Sequence, residues 1–117
     1  MTAVSDSLRL DRSGSAGVVA RVTLARPGAH NAFDAALIGD LRRTFDALAR
    51  EPADRLRAVV LAGEGSSFCA GADLGWMRAA LTLDREANEH DAMAMAEMFE
   101  ALDTCPVPLI ARVHGAA

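Results

Sequence analysis

The feature that most constrains this chain is a change of hydrophobic period, from two to helical and back, within about forty residues. Val18, Ala20, Val22 and Leu24 alternate with other residues on one face, the two-residue period of a half-buried strand. Leu37, Leu41, Phe45 and Leu48 then fall at i, i+4, i+8 and i+11, with Asp40, Arg43 and Asp46 on the opposite side. That is an amphipathic helix. Asp34 stands where an N-cap belongs, and Pro52 marks the stop. Residues 58–62, Ala-Val-Val-Leu-Ala, form an apolar, β-branched run too short for a helix, so they read as a buried strand. Strands alternating with helices in this way imply parallel pairing across the crossovers.

The flanking segments extend the pattern. Leu8 and Leu10 alternate with polar residues before Ser13-Gly14-Ser15-Ala16-Gly17 interrupts them, which predicts a hairpin with the strand that follows. Pro27 has no N–H for a ladder and biases Arg26 toward an extended shape, so Arg26-Pro27-Gly28 ends that strand. Beyond the buried strand, residues 63–71 are a glycine- and serine-rich loop. A short helix is expected over about 73–80 and a longer one over about 84–103, with Met95, Phe99 and Leu102 as its core stripe. Pro106 and Pro108 close it, and residues 109–113 read as a last strand. The predicted order is ββαβααβ, an α/β arrangement in one small domain of 117 residues. With 51% hydrophobic and 24% charged residues the composition is globular, and with 4% aromatics the core must be aliphatic and rich in Ala and Met.

Composition also excludes functions. A net charge of -4 provides no electrostatic footprint for nucleic acid or an anionic membrane, and stacking platforms for single strands are missing. No apolar run approaches membrane-spanning length. The first ten residues lack the basic start and apolar centre of a signal peptide, so a cytoplasmic location is expected. Cys69 and Cys105 are then expected as free thiols. His30, His90 and His114 show no metal-ligand spacing, so no metal is assigned. Gly63 and Gly65 follow a strand, but Phe68 stands where a dinucleotide fingerprint needs its third Gly. All twelve basic residues are Arg, so the Lys of a P-loop is lacking too. Ser66 and Ser67 lack the Gly-x-Ser-x-Gly elbow of a serine nucleophile. Glu86, Glu89, Glu97 and Glu100 lie on an amphipathic helix and are read as solvated.

One stretch remains that points to chemistry: Ser67-Phe68-Cys69-Ala70-Gly71-Ala72-Asp73-Leu74-Gly75-Trp76-Met77. A strand delivers the chain to a loop of small residues that runs straight into a helix. Backbone N–H groups at a helix start lack intrahelical partners and lie at the positive end of its dipole. Gly71 permits close approach. Such a turn can aim an N–H at an oxygen that gains negative charge. It can equally be a plain strand–loop–helix connection in which Asp73 caps the helix, and spacing does not separate the two.

The wording of this stretch resembles the Phe-x-Ala-Gly-Ala-Asp-[Leu/Ile] motif of the enoyl-CoA hydratase/isomerase (crotonase) superfamily. Three further stretches are similar to that family, in its order. They are Arg26-Pro27-x-x-x-Asn31-Ala32, Val59-Val60-Leu61-x-Gly63-x-Gly65, and the run from Pro106 through Pro108, Ile110, Ala111, Val113 and Gly115. The resemblance covers roughly residues 8–117 and implies the N-terminal portion of the crotonase ββα spiral fold. It further implies that the backbone N–H of Ala72 is one of two oxyanion donors for a thioester. Ala29, His30, Asn31, Ala70, Asp73 and Leu74 would line the acyl-CoA channel. Coenzyme A would then be part of the substrate, with no separate cofactor. Trp76-Met77-Arg78 resembles methylglutaconyl-CoA hydratase-type members, which suggests a short branched or carboxylated enoyl-CoA, with Arg78 either facing a distal carboxylate or simply a surface charge.

In the family, the second oxyanion donor and the catalytic carboxylates follow the last of these stretches. The sequence is therefore expected to be an incomplete crotonase-like domain over residues 1–117. It reads either as the N-terminal part of a hydratase or isomerase, or as a non-catalytic truncated remnant or subunit that at most binds CoA. Full-length members of the family assemble as trimers or hexamers, which is not expected of this portion alone.

Overall fold

The computed structural model describes residues 2–117. Strands β1 (Thr2–Ala3), β2 (Leu8–Ser13) and β3 (Val19–Leu24) lead to helix α1 (Ala35–Ala49) and strand β4 (Ala58–Gly63). Helices α2 (Leu74–Ala80) and α3 (Arg85–Asp103) and strand β5 (Leu109–Ala111) follow. The order is the expected ββαβααβ preceded by one two-residue strand, β1, which carries too little pattern to be read from sequence. The five strands form one sheet in the order β1-β2-β3-β4-β5. The pairs β1–β2 and β2–β3 are antiparallel, whereas β3–β4 and β4–β5 are parallel.

Register explains the core. Leu8 faces Leu24 and Leu10 faces Val22 across the hairpin. Ala20 pairs with Val59 and Val22 with Leu61 across the parallel ladder. Because side chains alternate along a strand, these pairings stack one apolar set on one face of the sheet. Helix α1 lays Leu37, Ile38, Leu41, Phe45 and Leu48 into the same cluster, all buried. Asp34 caps α1 as its sequence position suggested, its Oδ1 accepting from the Leu37 N–H at 2.9 Å. Each fully buried Leu or Phe of this kind contributes about 1.5–3 kcal/mol.

Helix α3 packs along α1 and departs from expectation at one residue of its core stripe. Met98 is fully buried, Met95 and Leu102 are half-buried, and Phe99 is 47% exposed. The seam runs Ala94, Met95, Met98, Ala101, Leu102, a steady i, i+3/i+4 row, and Phe99 sits one residue around the helix from it. Phe99 instead meets Phe33 edge to face, ring centroids 5.9 Å apart. The last strand is shorter than predicted: only Leu109, Ile110 and Ala111 pair, with Val59, Val60 and Leu61. Both cysteines are free, Cys69 buried and Cys105 half-buried. Among the described residues no helix is long and apolar enough to cross a membrane.

Candidate active site

Three loops meet at the carboxyl ends of the parallel strands β3, β4 and β5. In open sheets with parallel strands this is where ligand crevices form. The loop after β3 turns through Pro27, Gly28 and Ala29 and then takes two successive left-handed residues, His30 (φ 51°) and Asn31 (φ 57°). Arg26 and Asn31 close it reciprocally: the Arg26 N–H donates to Asn31 Oδ1 at 2.8 Å, and the Asn31 N–H donates to the Arg26 carbonyl at 2.9 Å. The Asn31 amide then reaches across to the loop after β4, donating to the carbonyls of Glu64 at 2.8 Å and Ser67 at 2.9 Å. Gly63 makes that crossing possible. A Cβ there would lie 2.8 Å from Asn31 Nδ2 and 2.7 Å from the Phe68 carbonyl oxygen.

The loop after β5 joins from the other side. The Phe68 N–H donates to the carbonyls of His114 at 3.0 Å and Ala116 at 2.9 Å, and the Cys69 N–H donates to Ala116 at 3.3 Å. His114 Nε2 lies 2.7 Å from the Gly65 carbonyl oxygen. Thus the separate stretches that carried the family resemblance are brought together in space.

The geometry around Ala72 is specific. Phe33 and Ala72 form an isolated parallel bridge. Its two bonds run from the Phe33 N–H to the Gly71 carbonyl and from the Asp73 N–H to the Phe33 carbonyl, both 2.8 Å. In such a bridge the N–H of Ala72 itself points away from Phe33. Among the described residues it has no acceptor, and Ala72 is half-buried. Gly71 sets the direction with φ 92°, a left-handed conformation that suits glycine. Asp73 caps α2, its Oδ1 accepting from the Trp76 N–H at 2.9 Å. The unpartnered donor therefore precedes the helix, whose own N-terminus Asp73 already serves.

Asp73 also lies 3.3 Å from Arg26 Nη2 through its second oxygen. Its carboxyl is held below the usual carboxylate range, foremost by the Trp76 N–H; partial burial opposes this, and Arg26 reinforces it. Of the other predicted site residues, Ala29 is half-buried and Ala70 exposed, with the Ala70 N–H bonded to the His30 carbonyl at 3.0 Å. The His30 ring is exposed, Nδ1 lying 3.1 Å from Ser67 Oγ. Leu74 is 73% exposed. Asn31 is fully buried and its side chain is spent on three backbone groups, so it presents shape rather than surface to a ligand. Sequence reasoning missed the bridging part of Phe33 and the ion pairs of Arg26, which no periodicity announces.

A pocket of about 210 Å³ opens here, lined by Ala62, Gly63, Arg112 and His114. A larger hollow of about 570 Å³, lined by Arg12, Gly17, Glu51 and Arg55 among others, lies at the amino ends of β3 and β4, far along the sheet from Ala72. Another of about 620 Å³ lies between the end of α3 and β5, lined by Phe99, Leu102, Cys105 and Leu109 among others. Volume alone would favour either of these, but the convergent polar groups are at the loops. Among the described residues no cluster of His, Cys, Asp and Glu could hold a metal ion.

Comparison with known proteins agrees with this layout. Residues 14–117 match the family model for enoyl-CoA hydratase/isomerase. An enoyl-CoA hydratase of Alternaria alternata is 36% identical over 87% of this chain and 31% of its own length. A mitochondrial Delta(3,5)-Delta(2,4)-dienoyl-CoA isomerase of Dictyostelium discoideum is 31% identical over 93% of this chain and 39% of its own. The crystal structure of an enoyl-CoA hydratase from Mycobacterium smegmatis superposes with a TM-score of 0.83 at 40% identity, covering 95% of this chain and 41% of that one. The chain thus spans roughly a third of the length of the curated relatives it matches.

Proposed function

The chain belongs to the enoyl-CoA hydratase/isomerase family, and from that premise we propose that the backbone N–H of Ala72 holds the thioester oxygen of an acyl-CoA. One observation carries the reading: the Ala72 N–H has no acceptor among the described residues, while the Gly71 carbonyl of its own peptide group and the Asp73 N–H of the next are both bonded to Phe33. A half-buried donor left free in a rigid frame is prepared for an acceptor from outside.

The chemistry follows from the acceptor. In hydration, water gives one proton to a base as its oxygen bonds to the β-carbon, the double-bond electrons pass through the α-carbon, and the carbonyl oxygen becomes an enolate O⁻. A proton delivered to the α-carbon then restores the thioester. In isomerisation, removal of a proton from the substrate by a base creates the same kind of enolate, and return of a proton at a different carbon restores the thioester with its double bond moved. Both routes concentrate charge on the oxygen that Ala72 faces, and loss of one such donor costs roughly 3 kcal/mol of transition-state stabilisation. Ala29, His30, Ala70, Asp73 and Leu74 surround the approach to Ala72, and coenzyme A enters as part of the substrate. Assembly of the whole protein as a trimer or hexamer belongs to the same proposal.

For the acyl group we propose a short branched or carboxylated enoyl chain of the methylglutaconyl type. Arg78 on α2 supports this: it is exposed and pairs with no carboxylate among the described residues, so it is available to one on the substrate. Two measurements on the whole protein test the proposal. Ala72→Pro, which removes an N–H that makes no internal bond, should weaken polarisation and turnover of bound enoyl-CoA about a hundredfold; unchanged turnover refutes the oxyanion role. A kcat/KM that favours crotonyl-CoA over methylglutaconyl-CoA refutes the substrate assignment.

A further inference from the structure

We infer that Arg26 is a positioning residue: its guanidinium ties the N-caps of α1 and α2 together and so fixes the direction of the Ala72 N–H. The inference rests on the reading of Ala72 given above. Asp34 and Asp73 are used alike. Each gives Oδ1 to the first turn of its own helix, at 2.9 Å from the N–H of Leu37 and Trp76 respectively. Each turns Oδ2 to the same nitrogen, Arg26 Nη2, at 3.3 Å. The other terminal nitrogen, Nη1, donates to the carbonyl of Ala32. One side chain from the end of β3 thereby holds two helix caps and the residue before Phe33.

The consequence for Ala72 is geometric. Phe33-Asp34 and Ala72-Asp73 run side by side, joined by the two bridge bonds and, beyond them, by Arg26. Without the guanidinium, two carboxylates that now share one nitrogen are left facing each other, and like charges so placed repel. That repulsion acts on the residue directly after Ala72. Arg26 itself is anchored through its backbone by Asn31 and is only 20% exposed, so it transmits position rather than touching the thioester. A planar fork can serve three acceptors in fixed directions, which the point charge of a lysine does less well.

The test compares the natural chain with Arg26→Gln, Arg26→Lys and the combination of Arg26→Gln with Asp34→Asn and Asp73→Asn. Amide hydrogen exchange at Phe33 and Asp73 reads the bridge, and the carbonyl stretching band of bound crotonyl-CoA reads the donor. Arg26→Gln is expected to speed exchange at both amides about tenfold or more and to return the carbonyl band toward its free frequency, while Val22 and Leu61 exchange as before. The combined variant, which removes the repulsion and keeps Asn as a capping residue, restores part of both signals; Arg26→Lys falls between. Natural exchange rates and an unmoved band in Arg26→Gln overturn the inference, and if that variant does not fold, the same two readouts in Arg26→Lys decide it. If crotonyl-CoA binds the natural chain with an unshifted carbonyl, the reading of Ala72 fails, while exchange at Phe33 and Asp73 still decides whether Arg26 is the clamp.

Discussion

Replacing Asn31 should disable the loop assembly, and the size of the effect follows from its contacts. Asn31 is fully buried, accepts from the Arg26 N–H, and donates to the carbonyls of Glu64 and Ser67. Asn31→Ala strips a partner from all three. A buried polar group left unpaired costs about 1–3 kcal/mol. Glu64 is half-exposed and recovers water cheaply, whereas Ser67 is buried and does not. Ala must also hold φ 57°, for which Asn is better suited. The sum is about 4 kcal/mol, a large part of the ~5–15 kcal/mol that stabilises a domain. Asn31→Asp keeps the shape and the acceptor but sets an oxygen against two carbonyls unless it is protonated. Its pKa is then raised in the folded state above an unfolded value of about 3.9, so the folded chain binds the extra proton. Stability of this variant falls as pH rises above about 4, until the raised pKa is passed. Urea unfolding of the three proteins at pH 5 and pH 7 measures both effects. An Asn31→Ala loss under about 1 kcal/mol, or an Asn31→Asp variant as stable at pH 7 as at pH 5, would refute the reasoning.

Met98→Ala is expected to cost about 2–5 kcal/mol by chemical denaturation because Met98 is completely buried. Phe99→Ala should cost about 1 kcal/mol, since Phe99 is largely exposed and loses chiefly its edge contact with Phe33. Asp73 is ionised with help from Trp76 and Arg26, so its folded pKa lies below the ordinary value of 3.8. The stability it contributes is present above that value and is lost as pH falls through the lower folded one, whereas Asp73→Asn should remove this acid-side dependence in carboxyl NMR and unfolding titrations.

The sheet and α1 were legible because their burial is periodic. Leu37, Leu41, Phe45 and Leu48 mark one helix face in sequence, and the same residues fill the core. Phe99 misled because hydrophobicity alone does not say which of several adjacent apolar residues on α3 faces α1; the neighbouring Met98 takes that place. The candidate site was legible only as wording. Gly71, Ala72 and Asp73 could be a plain cap by spacing, and the distinction lies in which peptide groups bond to Phe33, a residue about forty positions earlier. Arg26 and Asn31 stand in a recognisable stretch, yet their bonds to Asp73, Glu64 and Ser67 are long-range and have no local signature.

The Ala72 amide resonance reports the central claim directly. In a titration of the chain with crotonyl-CoA followed by amide NMR, the Ala72 proton should move downfield and exchange more slowly, and coenzyme A without an acyl group should leave it in place. A chain that binds crotonyl-CoA while the Ala72 amide neither shifts nor gains protection would contradict the claim.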